Sequence, residues 1–238
     1  ALPCRHEKAT IIFAMNECVQ EPANVTDSQV KQLVAKARVA QAAFEGFSQA
    51  QVDAIVKGIG KYVYDNAEML ARMAVDETGI GVYEDKILKN KGKARAIWNS
   101  LKDKKSRGII GEDPETNLVF VAKPVGVVGA VTPITNPIVT PMCNGMFALK
   151  TGNAVVFAPH PKAEKCTIHL TEAFMAVVKA NGGPDHLVQT VVKGSIETTQ
   201  ELMQKANQKY DKNTDDGRAW RAAREKRQEM GANAAFSS

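Results

Sequence analysis

The chain has 238 residues, 44% of them hydrophobic and 24% charged, with a net charge of +5. That length can bury one or two cores, and no apolar run approaches the roughly 18–20 residues a membrane-spanning helix needs. The run ATIIFAM (9–15) is too short to span and lacks the flanks of a signal peptide, so a secreted or membrane protein is not expected. Cys4, Cys18, Cys143 and Cys166 show neither a CxxC pair nor framework spacing, which predicts reduced thiols and a cytoplasmic setting.

Residues 1–25 carry no clear period and read as an N-terminal extension. A helix is expected from Thr26 or Asp27, both good N-caps, because Val30, Leu33, Val34, Ala37 and Ala40 recur on one face. The spacing Ser48–Gln51 is a capping box opening a second helix, whose stripe is Val52, Ile55, Val56, Ile59 and Tyr62. Asn66 is expected to cap a third helix, and a long polar helix over 82–102 follows the break TGIG (78–81). Residues 26–108 therefore predict a helical layer.

Residues 109–204 carry a different pattern. A loop is expected over 111–115 and a strand over 117–122. The stretch 123–160 then reads as a complete strand–turn–helix–strand unit. VGVVGAV (125–131) and AVVF (154–157) are short buried strands flanking an apolar helix over 138–149, with Pro137 suited to its first turn. A helix over 162–180 stops at NGGP (181–184), a strand follows over 187–192, and Gly194-Ser195 starts a further helix. Strands alternating with helices at this spacing predict an α/β fold, a parallel sheet with helices on both faces. From Gln204 onward no buried strand is legible. Residues 205–229 hold eight basic residues against five acidic ones, with Tyr210 and Trp220 the aromatics there. Residues 205–238 are read as a solvated basic tail and not as a nucleic-acid arm.

In an open parallel sheet a ligand sits outside the carboxyl ends of the strands. That rule singles out Thr135 and Asn136, which offer hydroxyl and amide groups to an anionic or carbonyl ligand beside a helix N-terminus. It also singles out His160, held between Pro159 and Pro161 at a strand end. GxGxxG, Walker A, HExxH and GxSxG motifs are absent, and His6, His160, His169 and His186 have no ligand spacing, so no metal is expected. Cys143 and Cys166 read as small core residues.

Four blocks, VDETGIGVYEDKILKN (75–90), KPVGVVGAVTPITNP (123–137), LKTGNAVVFAPHPKA (149–163) and GGPDHLVQTV (182–191), together resemble the CoA-acylating aldehyde dehydrogenases, including the aldehyde dehydrogenase half of bifunctional aldehyde–alcohol dehydrogenases. The resemblance covers about residues 28–204. It implies a Rossmann-like cofactor domain lacking the usual glycine fingerprint, NAD or NADP as cofactor, and coenzyme A and an aldehyde as substrates. In that family a cysteine captures the aldehyde as a thiohemiacetal, hydride leaves to the nicotinamide, and coenzyme A takes the acyl group. Carried over, Thr132, Pro133, Ile134, Thr135 and Asn136 form the turn on the nicotinamide and oxyanion side. Pro159, His160 and Pro161 fall at the ribose, and Gly182, Gly183 and Pro184 beside the adenine. The strand 117–123 is similar to the segment joining the family's oligomerisation sheet, which implies a homo-oligomer or association with full-length subunits.

After Gln204 the family's next strand, its glycine-rich turn and its cysteine-bearing domain have no counterpart. The chain thus reads as truncated, with two functional expectations. It is either the cofactor portion of an acylating dehydrogenase whose catalytic half is elsewhere, or a non-catalytic nucleotide-binding or assembly module.

Overall fold

A computed structural model describes residues 28–206. The expected extension over 1–25 lies outside the described residues, and so does the basic tail from residue 207; Lys205 and Ala206 end the last helix. Helix α1 (Gln29–Phe44) is capped by Ser28, whose Oγ accepts the Lys31 N–H at 3.2 Å; the expected caps Thr26 and Asp27 lie outside the described residues. The cap position falls one residue before Gln29, and Ser28 places its oxygen against the third N–H of the helix. Helix α2 (Gln49–Asp65) opens with the expected capping box: Ser48 Oγ accepts from Gln51 N, and Gln51 Oε1 accepts from Ser48 N at 3.0 Å. Before α3 (Ala67–Thr78), the Asn66 side chain makes no capping bond. Its Nδ2 donates back to the Tyr62 carbonyl at 2.8 Å, closing α2 instead. Helix α4 (Tyr83–Leu101) completes the helical segment.

A hairpin comes next, β1 (Gly108–Asp113) against β2 (Leu118–Ala122). The expected loop over 111–115 is therefore half strand. Gly111 and Glu112 pair with Phe120 and Val119 across an antiparallel ladder, and backbone pairing overrides their poor strand propensity. Only residues 114–117 turn, with Asp113 accepting the N–H groups of Glu115 and Thr116 and the Thr116 hydroxyl.

Strands β3 (Val127–Thr132), β4 (Ala154–Pro159) and β5 (Val188–Thr190) form a parallel sheet in the order β3-β4-β5. All six residues of β4 are buried, the continuous apolar run expected of a strand covered on both faces. Helices α5 (Val139–Lys150) and α6 (Glu164–Ala180) return the chain between strands and cover one face, backed by α2, α3 and α4. Helices α1 and α7 (Ile196–Ala206) cover the other. The helices of residues 28–101 thus divide between the two faces of the sheet. α1 leaves α2–α4 and binds the far face, where the Arg38 guanidinium donates to the Lys205 carbonyl at 2.9 Å and Leu33 O accepts from Gln189 at 2.8 Å. The physical reason is that α1 has its own apolar stripe, which needs the sheet face that α5 and α6 leave open. Gly129 in β3 admits α7 closely: a Cβ there would stand 3.2 Å from Leu202 Cγ.

Candidate active site at the carboxyl ends of the sheet

Three connections converge where the parallel strands end. Strand β3 ends at Val131 and Thr132 before Pro133, and β4 ends at Ala158 and Pro159 before His160 and Pro161. The chain leaving β5 turns through Lys193, with φ +54°, into Gly194-Ser195 and α7. Together these segments enclose a cleft of about 580 Å³ whose walls are mainly apolar. Its size and position at a sheet's carboxyl edge match those of cofactor sites.

Each wall is locally fixed. The His160 N–H donates to the Thr132 carbonyl at 3.1 Å, which extends the β3–β4 ladder by one bond. His160 Nδ1 accepts the Lys162 N–H at 3.1 Å and caps the short 3-10 turn Pro161–Ala163, so the neutral ring carries its proton on Nε2. Ser195 and Thr198 cap α7 reciprocally: Ser195 N–H donates to Thr198 Oγ1 at 2.7 Å, and Thr198 N–H to Ser195 Oγ at 3.2 Å. The Ser195 hydroxyl and the backbone N–H of Glu197 hold the Glu197 carboxyl below the usual carboxylate range, at the positive end of α7. Thr132, only 2% exposed, contributes the one buried side-chain polar atom among the described residues that has no partner, its Oγ1. A buried hydroxyl left unsatisfied costs stability.

Of the residues singled out from the sequence, Thr132, Pro133, Pro159, His160 and Pro161 meet in this cleft. Ile134, Thr135 and Asn136 do not line it. Their turn leans towards α4, where Lys86 Nζ donates to the Thr135 carbonyl at 3.4 Å and Lys89 Nζ to Asn136 Oδ1 at 3.2 Å. Gly182, Gly183 and Pro184 lie at the opposite end of the sheet. Strand β5 runs parallel to β4, so the turn preceding it sits at the amino ends. There Gly182, with φ +74°, and Gly183 close α6, their N–H groups donating to the carbonyls of Lys179 and Val178 at 2.9 and 2.8 Å. In this structure the three residues terminate a helix and lie away from the cleft.

Gly194, Ser195, Ile196, Thr199 and Gln200 also line the cleft, and the sequence reading gave them only the start of a helix. The signal was present. A glycine after a strand followed by the S-x-x-T spacing of Ser195 and Thr198 marks a capped helix N-terminus, the usual place for an anion.

Neither described cysteine lines the cleft. Cys166 is buried in the first turn of α6, where burial and the neighbouring Glu77 carboxylate drive its thiol far up. Cys143 is half-buried on α5, and burial raises its thiol too. Both are poor nucleophiles. No group of metal-binding side chains occurs among the described residues, and no helix there is long and apolar enough to cross a membrane.

A helix-flanked parallel sheet with a cleft at its carboxyl ends is the doubly wound α/β architecture, in which ligands sit at that edge. The sequence profile of the aldehyde dehydrogenase family matches residues 6–210, and the chain belongs to that family. It is 55% identical over 178 residues to an acetylating succinate-semialdehyde dehydrogenase of Clostridium kluyveri, covering 75% of this chain and 39% of that one. It is 39% identical to an aldehyde-alcohol dehydrogenase of Clostridium acetobutylicum, over 75% of this chain and 21% of that one. Among solved structures, an acetylating aldehyde dehydrogenase from Geobacillus thermoglucosidasius superposes with a TM-score of 0.71 at 38% identity, over 73% of this chain and 38% of that one. A propionaldehyde dehydrogenase of Rhodopseudomonas palustris, solved with CoA bound and its cysteine acylated, matches with a TM-score of 0.63 at 36% identity, covering 73% of this chain and 39% of that one. The chain thus spans about two-fifths of the length of most of these relatives, and one-fifth of the bifunctional one.

Proposed function

We propose that residues 28–206 form the cofactor-binding portion of a CoA-acylating aldehyde dehydrogenase, in which aldehyde, coenzyme A and NAD(P)+ give acyl-CoA and NAD(P)H. The observation that carries this reading is the cleft at the carboxyl ends of β3 and β4, which also receives the N-terminus of α7 and has the unpartnered Thr132 hydroxyl buried in its wall. The residues fit a dinucleotide. Thr132 offers a hydroxyl, Gly194 and Ser195 bring backbone close to a diphosphate, and the apolar Val131, Ala158 and Pro159 suit a flat ring. A bound dinucleotide supplies the hydride acceptor. The chain's own part is to orient it, to exclude water from it and to hold the diphosphate at α7. The choice between NAD and NADP stays open on this reading, as does the aldehyde.

The capture of aldehyde needs a thiolate, and burial disables Cys143 and Cys166 for that role. The nucleophile of the proposed reaction therefore comes from outside residues 28–206, and the reduced thiols within them suit a cytoplasmic enzyme. Calorimetric titration with NAD+ and NADP+ tests the proposal. Saturable binding supports it, and no heat at millimolar cofactor overturns it.

A specific feature also favours assembly. The β1–β2 hairpin exposes Ile109, Leu118, Val119, Phe120 and Val121, each at least half accessible, on a ribbon joined to no other strand among the described residues. A two-stranded ribbon of this kind is marginal alone and calls for a partner. We assign it to association with further subunits, whether of this chain or of full-length relatives. Sedimentation velocity checks this, with self-association expected for the native chain and a loss of it on Val119→Lys.

A further inference from the structure

Helices α2 and α4 meet along a groove that shares no residue with the cofactor cleft. The spacing of Lys57, Gly60, Lys61 and Tyr64 puts all four on one stripe of α2, and Ala94, Arg95 and Trp98 of α4 face them. Gly60 sets the depth of the groove. A Cβ there would stand 3.2 Å from Met146 Cε and 3.6 Å from the Ala94 carbonyl. The missing side chain lets α4 close on α2 and leaves no bulk in the floor. The groove holds about 310 Å³ between mainly apolar walls. Its two rings differ in burial: Tyr64 is 39% exposed, and Trp98 is half-buried against the core.

Cations surround this apolar floor. Helix α4 carries five basic side chains against two acidic ones, and both acidic ones lie in its first turn, away from Arg95. Lys61 neutralises Asp65, the one carboxylate among the described residues that line the groove. Lys57 has no such partner, because Asp53, one turn before it, holds the Lys150 ammonium and the Gln49 amide instead. Neither Lys57 nor Arg95 makes a side-chain hydrogen bond or ion pair with a described residue. Two unpaired cations on opposite walls of an aromatic groove match a flat ring that carries a phosphate. The ring stacks on the Trp98 and Tyr64 side. Arg95 takes the phosphate through its planar fork, and Lys57 takes it as a point charge. We propose that the groove between α2 and α4 binds a nucleoside monophosphate, at a site separate from the dinucleotide cleft. A volume at the small end of ligand pockets suits one nucleotide and not two.

The test is an amide chemical-shift map of the full 15N-labelled chain titrated with AMP. Saturable shifts are expected at Gly60, Lys61, Arg95 and Trp98. The double variant Lys57→Gln/Arg95→Gln changes two exposed side chains that hold no described residue in place. It should bind AMP about tenfold more weakly, the value of charge-assisted bonds to one phosphate. Adenosine should bind the native chain about as weakly as AMP binds that variant. Shifts confined to Gly194 and Ser195 would put AMP in the cofactor cleft and overturn the proposal, as would no shift at millimolar AMP. Equal affinity for AMP and adenosine would overturn it too. An oligoadenylate that binds this face where AMP does not would make it a nucleic-acid surface, and that also overturns it. Failure of the NAD(P)+ titration leaves this test untouched, because groove and cleft share no residue.

Discussion

Arg107 lies against Gly152, its Nη1 only 1.9 Å from the point a Cβ on residue 152 would occupy. The same guanidinium donates to the carbonyls of Phe44 at 2.7 Å, Glu45 at 2.8 Å and Phe47 at 3.2 Å, and it stands over the Phe44 ring. One side chain thereby joins the foot of the hairpin to the end of α1 and to the α5–β4 turn. Arg107→Ala is expected to cost about 2 kcal/mol, from charge-assisted bonds lost at half-buried carbonyls. Arg107→Lys should recover only part, because one ammonium cannot span three acceptors. Gly152→Ala adds a clash to a residue with φ +81° and is expected to cost about 2 kcal/mol or more. Urea midpoints at constant m-value check all three.

The Lys150 ammonium, 2% exposed, pairs with the Asp53 carboxylate, which also accepts from Gln49 Nε2 at 3.0 Å. Asp53→Ala strands a buried cation and should cost about 3–5 kcal/mol. Lys150→Met leaves a more exposed carboxylate that keeps Gln49, and it should cost clearly less. The double variant is expected to lose less than the two single losses combined. Equal effects of the two single substitutions would contradict this asymmetry.

Thr132→Val removes the hydroxyl that has no protein partner. Without ligand, the thermal midpoint should hold or rise, because a buried unsatisfied group is gone. Affinity for NAD(P)+ should fall about 5- to 10-fold, the value of one neutral hydrogen bond. A drop in stability with unchanged affinity would make Thr132 a structural residue only.

Burial raises the thiols of Cys143 and Cys166, so the thiolate fraction of each at neutral pH lies below that of a free cysteine. Iodoacetamide labelling of the folded chain, read by peptide mapping, should be slow at both positions near pH 7.5. It should speed up as pH rises, sooner for Cys143 than for the more deeply buried Cys166. Fast neutral labelling of either would return it to candidacy as a nucleophile.

Much of the sheet was legible because β4 is an unbroken apolar run and because its flanking helices carry clear 3.6-residue stripes. The capping box at Ser48 was legible for the same local reason. What escaped depends on distance in sequence. Nothing near Val30 says that α1 crosses to the face shared with α7, and strand pairing alone makes Gly111 and Glu112 part of β1. At the cleft, His160 was singled out by the strand-end rule and Thr132 by the family resemblance, whereas Thr135 and Asn136, singled out by the same rule, turn towards α4. Gly182 and Gly183 read alike as a helix end or a ligand turn in sequence, and only the direction of β5 puts them at the far end of the sheet from the cleft. Gly194 and Ser195 were undervalued because the strand before them, three residues long, gives a weak signal.

The most direct measurement is an amide chemical-shift map of the 15N-labelled chain titrated with NAD+ or NADP+. The account predicts saturable shifts at Thr132, His160, Gly194 and Ser195, with Gly182 and Gly183 unmoved. Shifts centred on Gly182 and Gly183, or none at millimolar cofactor, would contradict it.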